Sequence, residues 1–295
     1  MMNIKKTSQR TLKQLTPLLR GSVETFTSNP LILTPFLTIA FVQLLVLEIL
    51  YFAPQYPLSV FFNPLVGTLW GEEFVHYPDN FLILPKLFQN TQVFIYIFIS
   101  SFFISVSIAI ISAINNNHKI KFLSACRETL RHYIHIFSGA LIIFCAFFGL
   151  HKLYNAIMTT ALNISSIDGV FFIIKKIILS GAPYANLLIG TFVTALFAFI
   201  FPLIIIEKKK IIAAIGLNFR LLWGSFWFVF FIILIPTLFY IPVLLLRYNI
   251  GNIAQVSFPE MRFLALIISV IVTMFIDATI YTAITTHYLM KKEYS

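Results

Sequence analysis

Charge is what this sequence has least of. Of its 295 residues only 11% are Asp, Glu, Lys or Arg, against about 25% in ordinary globular domains. Hydrophobic residues make up 59%, and the mean hydropathy is +0.91. A soluble domain of that composition has too little polar surface to face water, so lipid is the solvent for most of the chain. Acid is scarcer than base: 11 Asp and Glu stand against 21 Lys and Arg, a formal net charge of +10. The bases fall between apolar runs and do not gather on one face. That pattern suits anionic lipid headgroups and excludes nucleic acid as the expected partner. Cysteine is nearly absent. Cys126 lies between two spans and Cys145 inside one, which argues against a disulfide, and no C-x-x-C spacing exists for a thiolate zinc site. The G-x-x-x-x-G-K phosphate loop, the G-x-S-x-G elbow and the dinucleotide fingerprint are missing as well. No cofactor is expected; the case for an enzyme weakens without excluding one embedded in the membrane.

What the chain does have is long apolar runs and 33 Phe with 12 Tyr, residues suited to lipid contact and to the membrane interface. Six runs are long enough to cross a bilayer, at about 31–52, 91–114, 137–158, 185–206, 223–246 and 263–288. The first carries no small-residue cleavage site after it and reads as a retained anchor. Basic amphipathic segments precede the first, third and fifth, at about 17–27, 120–135 and 208–222. In the first of these, Leu12, Leu15, Leu19, Val23 and Phe26 recur at helical steps, with Thr16-Pro17 as the expected start. In the second, Phe122, Cys126, Leu130, Tyr133 and Phe137 form an apolar face beside Arg127, Arg131 and His135. Pro236 and Pro242 predict a bend in the fifth run. Two further apolar runs, 58–70 within a proline-broken loop at 54–90 and 169–179 split by Lys175-Lys176, are too short to cross and are expected at the outer surface. The fold class is therefore all-α, one polytopic membrane domain over 1–295 with six spans.

Orientation follows from the bases. With both termini cytoplasmic, fifteen Lys and Arg lie inside and six outside, as the positive-inside rule prefers. A shift of 89 residues lays Lys121 on Lys210, Phe122-Leu123 on Ile211-Ile212, Ala125 on Ala214, Arg131 on Arg220 and Phe137 on Phe226. The expected architecture is three units, each a cytoplasmic surface helix, an outgoing span, an outer loop and a returning span. Basic amphipathic helices before spans are common, so the same pattern also arises without duplication. Pro202, Glu207, Ala213-Ala214, Arg220, Gly224 and Phe226-Trp227 resemble a pattern in families of uncharacterised six-span bacterial membrane proteins. These include the group related to the membrane domain attached to some glycerophosphodiester phosphodiesterases. The resemblance covers about 60 residues closely; it implies a bacterial inner-membrane architecture and transfers no catalytic residue.

Two places could carry chemistry. Asp277 lies mid-span, where a carboxylate costs about 3 kcal/mol on insertion scales. Thr273, Asp277, Tyr281, Thr285 and Tyr288 share one side of that helix. Such a stripe faces water or protein, either as a proton or cation site in a pathway or as interhelical hydrogen bonds that fix packing. In the first outer loop, Glu72, Glu73, His76 and Asp79 would group around a divalent ion if helical, or form a solvated cap over the spans. Near the outer ends of two spans, Glu48 could pair with His151 and Lys152, or each could snorkel to the interface.

These residues support a non-enzymatic envelope or lipid-associated component, with a transporter or channel using Asp277 as the alternative and a metal-dependent enzyme at the outer loop third. The topology has a direct test: reporter fusions at residue 80 and at the C-terminus report opposite sides of the membrane, and the same side for both overturns it.

Overall fold

In a computed structural model of the chain, which describes residues 2–162, 170–254 and 258–293, every regular element is helical. The order is α1 (Met2–Ser28), α2 (Thr34–Phe52), α3 (Ser59–Trp70), α4 (Asn80–Ile95), α5 (Ser101–Asn115), α6 (Phe122–Leu130), α7 (Tyr133–Leu162), α8 (Val170–Leu196), α9 (Ile200–Ile206), α10 (Ile211–Leu222), α11 (Phe226–Leu238), α12 (Ile241–Ala254) and α13 (Met261–Glu293). Five stretches are long and apolar enough to cross a membrane: Pro30–Phe52, Asn80–Asn115, Tyr133–Thr160, Tyr184–Ile206 and Met261–Lys292. A sixth is obtained if α10 and α11, which meet at 95°, count as one. The protein thus has the build of a multi-pass membrane protein.

Several boundaries differ from those read in the sequence. The first helix begins well before Thr16-Pro17, and Leu15 and Leu18 on either side of Pro17 are both buried, so packing carries the helix through the proline. The loop expected at 54–90 holds α3 and the start of α4, and the second crossing stretch is 36 residues long, about 54 Å of helix at 1.5 Å per residue. That length exceeds a hydrocarbon core of about 30 Å, so this helix extends past it. The segment 120–135 is helical only to Leu130, and a turn at Arg131-His132 separates it from α7. The run at 169–179 belongs to the continuous helix α8 from Val170 onward, while the Lys175 and Lys176 side chains lie outside the described residues. The bent fifth span is instead two helices. Pro242 is the second residue of α12, where its missing N–H breaks no hydrogen bond, and Phe239-Tyr240 form the joint.

The long helices close into a ring. Helix α2 packs on α5 and α13, α7 on α5 and α8, α8 on α11, and α11 back on α13. In the middle, α5 packs on both α9 and α13, and Ile108, Ile110, Phe199, Ile204 and Ile284 are almost wholly buried there. Helix α1 lies against α13, α6 against α5 and α10 against α9. Leu18 and Ser22 on α1, Ala125 and Thr129 on α6, and Ala214 and Asn218 on α10 are each at most 9% exposed, the last two pairs standing 89 residues apart. Two of the entrances also turn through a left-handed residue, though not at equivalent positions: Asn117 stands four residues before Lys121 and Lys208 two before Lys210. Helix α5 ends with Asn117 at φ 56° and His118 N–H donating to Ala113 O at 2.8 Å; α9 ends with Lys208 at φ 55° and Lys209 N–H donating to Leu203 O at 3.2 Å. Each then enters its amphipathic helix through an extended lysine, Lys121 or Lys210.

The fourth crossing stretch is interrupted at Phe197-Ala198-Phe199. Asn218 on α10 spans the interruption: its Nδ2 donates to Leu196 O at 2.8 Å and its Oδ1 accepts from Phe199 N–H at 3.0 Å. Backbone groups without water must find such partners. The 95° corner between α10 and α11 is turned at Gly224, whose φ of +85° a side chain would strain. Asn218→Ala leaves two backbone groups unpaired at about 1–3 kcal/mol each, so in nanodiscs its thermal midpoint falls by several degrees while exposed Arg220→Ala is unchanged. Equal midpoints for wild type and Asn218→Ala would remove Asn218 from this role.

Candidate functional site: a cavity around Asp277

The helices of the ring do not fill the space between them. A cavity of about 870 Å³ lies between α4–α5, α8 and α13, with α7, α11 and α12 completing its wall. That is at the upper end of the range for sites holding small organic molecules. From α13 it receives Arg262, Thr273, Asp277 and Tyr281. From α4 it receives Gln89 and Gln92, followed by Tyr96 and Ser100 in a π-helical turn at Tyr96–Ser100. Such a turn widens a helix and re-aims its side chains, and here it brings Tyr96 within electrostatic reach of Asp277, as Tyr281 is from one turn along α13.

Asp277 is half-buried and faces this space. Among the described residues its carboxylate accepts no hydrogen bond and has no ion-pair partner; the ion pairs found there, Arg20–Glu24 and Lys208–Glu128, are both at the surface. Thr191, Thr194 and Thr237 also line the cavity, and each donates its hydroxyl proton to its own helix, to Leu187 O, Gly190 O and Ile233 O at 2.7–2.9 Å. Their oxygen lone pairs are left for the cavity, so the wall is rich in acceptors.

Two guanidinium groups stand at the far end. Arg247 donates to Tyr240 Oη at 3.1 Å, Tyr240 in turn meets Ser269 Oγ at 2.7 Å, and Arg262 donates to Phe81 O at 3.3 Å. Neither has a carboxylate partner among the described residues. Arg247 and its neighbour Tyr248 are exposed while lining the cavity, which places the mouth at this end. At the other end the space stops at the buried layer of α5, α9 and α13. Beyond that layer lies a second polar cluster, where Tyr288 Oη donates to Glu207, and Lys291 Nζ donates to Leu221 O at 2.5 Å and to Ser225 Oγ at 3.1 Å. Lys291 thereby closes α13 onto the ends of α10 and α11.

The stripe read on α13 is therefore divided. Thr273, Asp277 and Tyr281 meet in the cavity, whereas Thr285 is fully buried and donates to Tyr281 O at 2.7 Å, and Tyr288 belongs to the Glu207 cluster. The outer-loop group does not converge. Glu72 and Glu73 sit in a short 3-10 turn, His76 is extended, and Asp79 precedes α4; among the described residues no three His, Cys, Asp or Glu side chains are placed to hold a metal. The tight turn replaces the α-helical spacing that would have aligned them. Glu48 is exposed and apart from the basic pair: His151 meets Asn186 at 2.9 Å and Asn155 at 3.1 Å, and Lys152 lies 5.3 Å from the Phe148 ring centre. Both cysteines are free thiols.

Sequence reading missed Gln89, Gln92, Tyr96, Arg247 and Arg262. The first three repeat at three and four residues, a helical signal split by the expected boundary between the loop at 54–90 and the span at 91–114. No family model matches the chain, and no curated protein or solved structure does either.

The cavity has an accessibility test. With Cys126→Ser and Cys145→Ser as background, Thr273→Cys reacts with a membrane-impermeant thiosulfonate from the Arg262 side, and fully buried Ala278→Cys does not. An unreactive Thr273→Cys in a folded protein would show the cavity to be closed off.

Proposed function

We propose that this protein is a carrier for a small organic ion, with Asp277 as the cargo-binding or proton-accepting group in a cavity open toward the outer face. One observation carries the reading: a carboxylate at membrane depth has no partner among the described residues and faces a space of about 870 Å³. A group costing that much to insert is kept where a ligand or proton completes it. The packed layer of α5, α9 and α13, with the Glu207–Tyr288 and Lys291 contacts beyond it, corresponds to the closed side of an alternating-access cycle.

The architecture that fits this role is six spans, with α11 and α12 together forming the fifth crossing, both termini cytoplasmic, and residence in a bacterial inner membrane. Three units make the ring: α1 with α2 and α4–α5, α6 with α7 and α8–α9, and α10 with α11–α12 and α13. The burial of Ala125 and Thr129 on α6 and of Ala214 and Asn218 on α10, positions 89 residues apart, supports the duplication of those two units. Large apolar side chains exposed on α6 and α10, Leu123 and Ile212, and Trp223 at the corner after α10 support their lying in the lipid interface beside anionic headgroups. The resemblance to six-span bacterial families belongs with this architecture. A lipid-associated role without transport is the second reading, favoured by those same exposed faces.

The test is a comparison of vesicles. Proteoliposomes of wild type and Asp277→Asn are incubated with a metabolite extract, washed, and their contents compared by mass spectrometry. At least one organic ion accumulates in wild type and falls at least about tenfold in Asp277→Asn, while Thr285→Val behaves as wild type. Identical contents in all three overturn carriage and leave the lipid-associated role.

A further inference from the structure

The cavity's charges narrow the cargo further, on the footing of the carrier reading. Fifteen residues of α13 separate Arg262 from Asp277, which places them about 22 Å apart along the helix axis at 1.5 Å per residue. Both line the same continuous space, and Arg247 joins Arg262 at the mouth. The wall also includes Leu266, Phe147 and Leu187. The mouth is thus cationic and the floor anionic, and the wall carries apolar side chains among its threonines and glutamines.

A monovalent inorganic ion satisfies only one end of such a site. A fatty acid satisfies the arginines but sets its apolar tail against the Asp277 carboxylate, and an alkyl amine has the opposite fault. We infer that the cargo is an elongated two-ended amphiphile, with an anionic group, carboxylate or phosphate, at Arg247 and Arg262, a methylene body along the apolar side chains of the wall, and a protonated amine on Asp277. Each guanidinium offers paired N–H donors to an oxyanion. The amine receives the carboxylate of Asp277 and finds further acceptors in the threonine oxygens and glutamine amides around it. Pairing at both ends restores the hydration each charge loses on entry, which selects this class over single-ended molecules.

The separation sets a length. About 22 Å, less the reach of an arginine side chain, suits a body of about twelve carbons and is too long for one of about six. The probes are therefore ω-aminododecanoate, ω-aminododecyl phosphate, dodecanoate, dodecylamine and ε-aminohexanoate, each measured by calorimetry on the full chain in nanodiscs of zwitterionic lipid. The expected result is that a two-ended twelve-carbon probe binds about tenfold or more tighter than dodecanoate or dodecylamine, and that ε-aminohexanoate gains nothing from its second charge. Whichever two-ended probe is tighter identifies the anion as carboxylate or phosphate. Asp277→Asn reduces the two-ended probe to the affinity of dodecanoate without weakening dodecanoate itself, and Arg247→Gln with Arg262→Gln reduces it to that of dodecylamine. Asp277→Glu keeps the preference and shows that the cavity still folds. Equal binding of the three twelve-carbon carboxylate, amine and amino-acid probes overturns the proposal, as does a preference that survives Asp277→Asn. Asp277-dependent uptake with equal binding of the probes overturns this cargo class and leaves carriage standing. Selective binding with no uptake upholds the class and overturns carriage.

Discussion

In lipid the backbone has nothing to bond except protein, and each unpaired N–H or C=O costs several kcal/mol. The rest of this structure depends on how that constraint is met where the helices are irregular. At the Phe197–Phe199 interruption, Asn218 supplies both the missing donor and the missing acceptor from another helix. Because Asn218 is on α10, the break in the fourth crossing and the amphipathic helix after it form one rigid corner. At Tyr96–Ser100 the solution is different, since the π-helical turn keeps its hydrogen bonds within the helix and presents Tyr96 to the cavity. Irregular backbone is tolerated where it is buried in protein or lines polar space, and these two places are one of each kind.

The second consequence is the placement of polarity. Many of the polar side chains on the crossing stretches serve their own helices. Threonines and serines such as Thr191, Thr194 and Ser105 donate back to carbonyls one turn earlier, which makes them nearly neutral to insertion. Asp277 cannot do so, having no proton to donate when ionised. That chemical difference makes it stand out among the polar residues of the cavity, which α4–α5, α8 and α13 all line.

Much of this was legible in the sequence. Composition and run length were enough for a helical membrane protein, because insertion depends on summed hydropathy over a window and little else. Thr273, Asp277 and Tyr281 were legible as a stripe because helical spacing survives tertiary packing. The metal reading of Glu72, Glu73, His76 and Asp79 depended on an α-helix, and a 3-10 turn between Gly71 and an extended His76 separated them. Gln89 was hidden in the expected loop at 54–90 and Gln92 at the start of the expected span at 91–114, whereas α4 runs through both and carries Pro85 within its first two turns, where neighbouring helices hold the chain helical. Arg247 and Arg262 were counted as outer-side charges for topology. Their convergence on one mouth depends on α12 folding back beside α13, which no local pattern records.

The contact between α1 and α13 has a bearing on how the molecule comes to exist. Helix α1 is the first of these elements to leave the ribosome, and the surface it needs, on α13, is made after every other helix of the ring. Until then Leu15, Leu18 and Phe26 lack that cover, and α1 has α11 and the turn at Pro30–Ile32 to pack on. Glu207 waits similarly for Tyr288, and the Leu221 carbonyl for Lys291. The closed ring is thus a late product of biosynthesis. A bundle without α13 has an open seam where α1, α2, α5, α11 and α12 would meet it, and the step that closes the seam brings in Asp277, a carboxylate that is costly to place in lipid.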